Sequence, residues 1–168
     1  MDHVRALRRH GQDADVRLPE APEEAGVLRL HTSRWANREL TRLPFVPVGI
    51  SRGTLRFPVP YRYRLARVLA PSRETFALRD DTAFKESYLA GLDGIGVNRI
   101  APVFEEIGDE EGGEVLALLC FEDVHAGEVC HRHMFADWWE ERTGEEVREL
   151  YDLPTGQDSR RAAQPRLF

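Results

Sequence analysis

Lysine, cysteine and methionine are what this chain has least of: one lysine, Lys85, two cysteines and two methionines. Almost every basic residue is therefore arginine, a bias that a GC-rich genome produces without selection for guanidinium chemistry. The N-terminus begins polar and arginine-rich, with no apolar signal-peptide core, so export is not expected. Two cysteines in that setting point to reduced thiols rather than a disulfide framework. No apolar run reaches the roughly 18 residues that a membrane helix needs. A cytoplasmic location and no membrane partner are the resulting expectations. Gly94-x-Gly96 lacks a third glycine and follows no predicted strand, so it is not a dinucleotide fingerprint, and no cofactor is expected. A net charge of −6 argues against a polyanion binder by composition.

What is present suits one globular domain. Apolar residues make up 42% of the 168, enough for a core. Residues 1–25 mix charge, proline and small residues and read as an arm. Residues 26–151 read as a single α/β domain, and 152–168 as a polar tail. Within the domain, the pattern predicts strands over 27–31, 45–50, 115–121 and 147–151. Pro47 removes a ladder donor, which puts the second strand near an edge or makes it irregular there. Helices are predicted over 35–42 with Ser33 as N-cap, over 81–92 capped by Asp80 or Asp81, over 98–107 capped by Asn98, and over 128–142. Residues 54–70 form a long excursion. Strands alternating with helices imply a small, mostly parallel open sheet of about four strands with helices on both faces, Rossmann-like in plan.

In such a sheet ligands bind beyond the carboxyl ends of the strands. Those ends collect Thr32 and Ser33, then Ser51 and Arg52, then Cys120 and Glu122. The last helix begins on the same side with Cys130, His131 and Arg132. Three chemistries fit that corner. In the first, the helix N-terminus and Arg132 bind an anion, with Arg52, Arg34, Thr32 and Ser33 completing the clamp; the bland counterpart is an Arg132 salt bridge to Glu122 or Glu128. In the second, Cys130 is a nucleophile activated by the helix N-terminus and by His131 or His133, with Glu122 or Asp137 orienting the base; the counterpart is a Cys130 that simply joins Met134 and Trp138 in the core. In the third, Cys120, His125, Cys130 and His133 are numerous enough for zinc, but their spacing matches no recognised pattern, and no metal is assigned. His131, Glu122 and Cys130 are thus the catalytic expectation, with Cys120 framing the corner from inside. Seven arginines from Arg52 to Arg79, interleaved with Phe57, Tyr61 and Tyr63, would also suit nucleic acid, although a solvated loop explains them as well.

Leu119-Cys120-Phe121-Glu122 followed by Cys130-His131-Arg132 resembles the closing signature of the bacterial domain-of-unknown-function 488 family. Thr32-Ser33 with Trp35-Ala36-Asn37 resembles the opening of one branch, and Ile50-Ser51-Arg52 falls at its second strand. The resemblance spans residues 26–151. It implies an α/β fold, carries no settled activity, and bears on Thr32, Ser33, Arg52, Cys120, Glu122, Cys130, His131 and Arg132. Many members have Asp-Val-Arg in the second strand; Val48-Gly49-Ile50-Ser51-Arg52 lacks that aspartate.

The tail ends in Gln164-Pro165-Arg166-Leu167-Phe168, which resembles the bacterial sliding-clamp-binding peptide. Gln164, Leu167 and Phe168 would be its anchors. Two functions follow. One is a small enzyme acting on a phosphate-bearing ligand, a nucleotide or nucleic acid. The alternative is a non-catalytic adaptor for DNA replication or repair, tethered to the clamp by the tail.

Overall fold

The structure, a computed structural model, describes residues 28–150 apart from 42, 43 and 54, and leaves the side chain of His125 undescribed. The expected arm over 1–25 and the tail with Gln164, Leu167 and Phe168 lie outside the described residues.

The run Val115-Leu-Ala-Leu-Leu-Cys120 has no polar alternation, so it has no face to offer to water. It forms a strand, Val115–Cys120, buried along its whole length. In chain order the strands are β1 (Arg29–Arg34), β2 (Phe45–Gly49), β3 (Arg64–Leu65), β4 (Val115–Cys120) and β5 (Arg148–Glu149). They form one sheet, with order β3-β2-β4-β1-β5 and every pairing parallel. β4 lies at the centre, with Cys120 opposite Arg34 on β1 and Leu119 opposite Gly49 on β2. The α/β architecture with a parallel sheet is as expected, with a fifth strand, β3, drawn from the long excursion.

Alternation along the strands divides the core in two. Leu30, Val46, Val48, Leu116 and Leu118 meet the larger cluster, which holds Leu92, Ile100, Phe104, Phe135, Trp138 and Trp139. These come from helices α2 (Asp81–Ile95), α3 (Val97–Glu111) and α4 (His131–Thr143), preceded by the single turn α1 (Arg73–Phe76). Ala117 and Leu119 meet a smaller cluster with Trp35 and Leu40. That second face is covered by a 3-10 turn at Arg38–Thr41 and by the extended segment around Leu55 and Tyr61. The connections leaving β1 and β2 thus cross one face, and those leading into β4 and β5 cross the other. At the carboxyl end of β4 the chain diverges to opposite faces, which opens a crevice there.

Several local expectations shift. β1 runs on to Arg34, so Thr32 and Ser33 lie inside the strand and are buried, rather than at its end. Parallel pairing with β4 satisfies their backbone and overrides the turn preference of serine. Ser33 consequently caps no helix; Asn37 does so instead, its Oδ1 accepting from Glu39 N–H at 2.8 Å, and only the short 3-10 turn follows. β2 does lie near an edge, with only the two-residue β3 beyond it. Its ladder to β3 begins at Val48, so the missing donor falls where the second neighbour has not yet started. Asp80 caps α2 as expected. α3 starts at Val97 behind Gly96, whose φ of 80° glycine alone adopts easily, and not behind Asn98. α4 starts at His131, three residues later than expected, because Cys130 is its N-cap.

Gly49 is required for a different reason. A Cβ there would lie 2.4 Å from the Trp35 ring and 2.8 Å from Leu65. Trp35 cannot retreat: it is buried, its indole N–H donates to Ser51 Oγ at 3.2 Å, and its ring meets Tyr63 edge-on at 5.0 Å. Gly49→Ala is expected to lower unfolding free energy in urea by about 1–3 kcal/mol, the usual range for overpacking a filled core.

Candidate functional site

The crevice is walled by the ends of three elements. Cys120 is the last residue of β4, and Glu122 follows in the first turn of the loop. The loop doubles back through a 3-10 turn at Val124–Ala126 and Gly127 (φ 84°), and the Asp123 N–H donates to Glu128 Oε2 at 2.6 Å. That closure returns the chain to the sheet at Cys130, the N-cap of α4, with His131 as the first helical residue.

Four side chains converge as a result. The ligating atoms of Cys120, Glu122, Cys130 and His131 lie within 4.8 Å of one another. Cys120 Sγ is 3.6 Å from His131 Nδ1, and the Cys130 thiol donates to Glu122 Oε2 at 3.0 Å. His131 Nε2 faces the carbonyl of Ile50 at 3.1 Å. A carbonyl only accepts, so Nε2 carries a proton, and the ring turns Nδ1 towards Cys120. Both cysteines and His131 are buried, while Glu122 is half-buried.

The two thiols are not equivalent. The hydrogen bond between them, together with burial, pushes the Cys120 thiol up. The same hydrogen bond, with help from His131 and against the opposing effect of burial, holds the Cys130 thiol down. Cys130 is therefore the thiol that ionises first. Burial works to raise the Glu122 carboxyl, but hydrogen bonds from Cys120 and Cys130 outweigh it and leave the acid below its ordinary value.

Arg132 belongs to a second, adjoining network. Its side chain is wholly buried and forms a two-pronged pair with Glu149 of β5, Nη2 to Oε1 at 2.9 Å and Nε to Oε2 at 3.1 Å. Nη1 donates to the Glu122 carbonyl at 2.8 Å and to Cys130 Sγ at 3.3 Å. Thr32 Oγ1 donates to Glu149 Oε2 at 2.7 Å, and His133 Nε2 approaches the same oxygen at 3.0 Å. The anion that Arg132 and Thr32 hold is thus the protein's own Glu149, not either of the acids, Glu122 and Glu128, that the sequence offered as partners. Ser33 lies apart: it donates to the Leu150 carbonyl at 3.1 Å and accepts from Asn37 at 2.9 Å. Arg34 pairs with Asp123 at 2.6 Å across the loop.

Arg52 is exposed, with Nη1 donating to the Pro71 carbonyl at 3.1 Å. It stands beside a cavity of about 250 Å³, whose lining includes Ser51, Cys120, Glu122 and His131 together with Phe76 and Phe84. A larger hollow of about 660 Å³ lies at the opposite end of the strands, between Arg29, Phe45 and Glu114, and carries neither thiol nor imidazole. Chemistry, not size, singles out the smaller one. Of the sequence-predicted residues, Cys120, Glu122, Cys130 and His131 come together, Arg52 joins them at the cavity, and Thr32 and Arg132 brace the corner from behind. Glu149 was missed. Its signal was indirect: an arginine at a helix start needs a carboxylate partner, and an acid in a terminal strand beside Thr32 supplies one.

No protein-family model, curated protein or solved structure matches this chain.

Burial works to raise the Glu149 carboxyl too, but hydrogen bonds from Arg132 and Thr32 and the Arg132 charge prevail and hold it below the ordinary glutamate value of 4.5. A depressed carboxyl stabilises the fold above its unfolded-state value, and that contribution is lost as pH falls through its folded-state value. Glu149→Gln leaves a buried guanidinium without its counter-charge, so a loss of about 3–5 kcal/mol is expected in urea unfolding at pH 7. The gap between wild type and variant should close as the pH is taken below 4.5.

Proposed function

We propose that this chain is an anion-binding α/β domain, and an enzyme acting on a phosphate-bearing ligand of the nucleotide class, with its site in the cavity beyond the carboxyl end of β4. The observation that carries this reading is the meeting of reactive groups with an exposed cation at one cavity. Cys120, Glu122 and His131 line it, and Arg52 stands beside them. Arg52 is available for a phosphate because its hydrogen bond among the described residues is to a neutral carbonyl. Phe76 and Phe84 offer apolar walls to the rest of a ligand. Glu122 and His131 supply the groups for proton transfer. Arg132 acts here as a positioning residue: through Glu149 it ties the start of α4, and with it Cys130 and His131, to the sheet. The resemblance to the domain-of-unknown-function 488 family agrees with the placement of the site and adds no activity.

A screen of nucleotides and inorganic phosphate for thermal stabilisation tests this reading, run on wild type and on Arg52→Ala. A bound ligand at 100 times its dissociation constant stabilises by about 2.7 kcal/mol, a readily measured shift. The expected outcome is stabilisation of the wild type that falls at least tenfold in apparent affinity in Arg52→Ala. No stabilising ligand, or equal shifts in both proteins, overturns it.

A second reading rests on the tail alone. Gln164, Leu167 and Phe168 have the spacing of the sliding-clamp peptide, which would make the domain an adaptor for DNA replication or repair. Co-elution with the bacterial clamp is then expected, and lost on deleting residues 164–168; equal co-elution without them removes the idea.

A further inference from the structure

We infer that Cys120, Glu122, Cys130 and His131 form a zinc site. The inference stands on these four residues and not on what the cavity binds, so either reading can fail without the other. Two thiols, one imidazole and one carboxylate converge from positions 120 to 131, with their ligating atoms within 4.8 Å of one another. Zinc bonds of about 2.0–2.3 Å in a tetrahedron put ligand atoms about 3.3–3.8 Å apart. The Cys120–His131 separation of 3.6 Å already has that spacing, and the Cys130–Glu122 separation is 3.0 Å. Small rotations of the side chains bring the rest into the same range.

The surroundings are those of a metal-ligating histidine. His131 Nε2–H donates to the Ile50 carbonyl, which fixes the tautomer and directs the Nδ1 lone pair at the cluster. Ile50 is itself held, its N–H donating to the Leu119 carbonyl at 3.0 Å beside Cys120. The Cys130 sulfur receives the Arg132 backbone N–H at 3.5 Å and the Arg132 Nη1 at 3.3 Å, donors suited to a thiolate. The ligands are carried by the end of a central strand, the turn after it and the start of a 13-residue helix, so they are held by rigid elements.

Charge supplies the second argument. Three groups that can become anionic meet in one corner, and the nearest cation, Arg132, has its two-pronged interaction with Glu149. A divalent ion among the three would stabilise both thiolates and the carboxylate together. A donor set of two sulfurs, one nitrogen and one oxygen favours zinc over the hard cations that prefer all-oxygen sites. Glu122 is the most accessible of the four and lines the cavity, so the position it occupies on the ion is the one a ligand could reach. With zinc bound, Glu122 and His131 would be ligands and not the proton-transfer pair, and the ion would supply Lewis-acid chemistry at the cavity in their place. The set differs from the one the sequence suggested. His133 turns to Glu149, Glu122 and His131 take part, and ligands at positions 120, 122, 130 and 131 match no paired-cysteine spacing.

The full chain, reduced with a phosphine and stripped with a chelator, should be titrated with Zn²⁺ and Co²⁺ in the absence of any nucleotide. One zinc per chain is expected by elemental analysis after dialysis. The cobalt form should show thiolate-to-cobalt charge transfer and the intense visible bands of a tetrahedral ion. Affinity should fall at least a hundredfold in Cys130→Ser and in His131→Ala, and change less than threefold in His133→Ala. Should a variant fail to fold, wild type still decides: bound zinc should slow alkylation of both thiols at least tenfold. No stoichiometric zinc, a cobalt spectrum without sulfur charge transfer, thiols unprotected by zinc, or equal binding in folded Cys130→Ser overturns the site.

Discussion

The buried pair of Arg132 and Glu149 is the interaction on which the geometry of the corner depends. Removing two charges from water costs several kcal/mol per ion, and attraction offsets this only when geometry is good and the remaining donors are satisfied. Both conditions hold. The guanidinium meets the carboxylate with two prongs, and its third nitrogen reaches the Glu122 carbonyl and the Cys130 sulfur. Thr32 adds a donor to the same carboxylate from β1. One ion pair therefore fastens β5, β1, the loop after β4 and the start of α4 to each other.

The consequence for the site is positional. Cys130 and His131 immediately precede Arg132, so anchoring the guanidinium sets where the thiol and the imidazole lie. Cys120 arrives from the other direction, at the end of a strand buried on both faces, and Glu122 in the turn that follows it. The two deliveries meet where connections leave the sheet towards opposite faces, the usual place for a ligand in a parallel sheet. Reactive groups eight to eleven residues apart in the chain become neighbours because β4 ends and α4 begins at the same level. Gly49 and Trp35 shape the other side of this edge, the glycine leaving room for the indole and the indole holding Ser51.

Much of this was legible in the chain before folding. The unbroken apolar run at 115–121 implied a strand covered on both faces, as a parallel sheet provides. Phe135, Trp138 and Trp139 followed from helical spacing, and the convergence of Cys120 and Glu122 with Cys130 and His131 followed from the rule that parallel strands end on one side. Less legible were the limits of β1 and the cap of α4. Thr32 and Ser33 look like a strand end, yet pairing with β4 carries them inside, and Cys130 caps a helix although cysteine is not a favoured cap.

Composition and periodicity by themselves determined the fold class and the end of the sheet where reactive side chains collect, since hydrophobic pattern and strand direction are properties of local sequence. Tertiary structure alone decided which charges meet. The sequence offered Arg132 two acids, Glu122 and Glu128, and only the placement of β5 next to β1 brought in Glu149 instead. That choice removed the guanidinium from ligand binding, left Arg52 as the cation beside the cavity, and turned Glu122 towards the thiols. Partner selection of this kind depends on distances across more than a hundred residues of chain, and no local pattern encodes it.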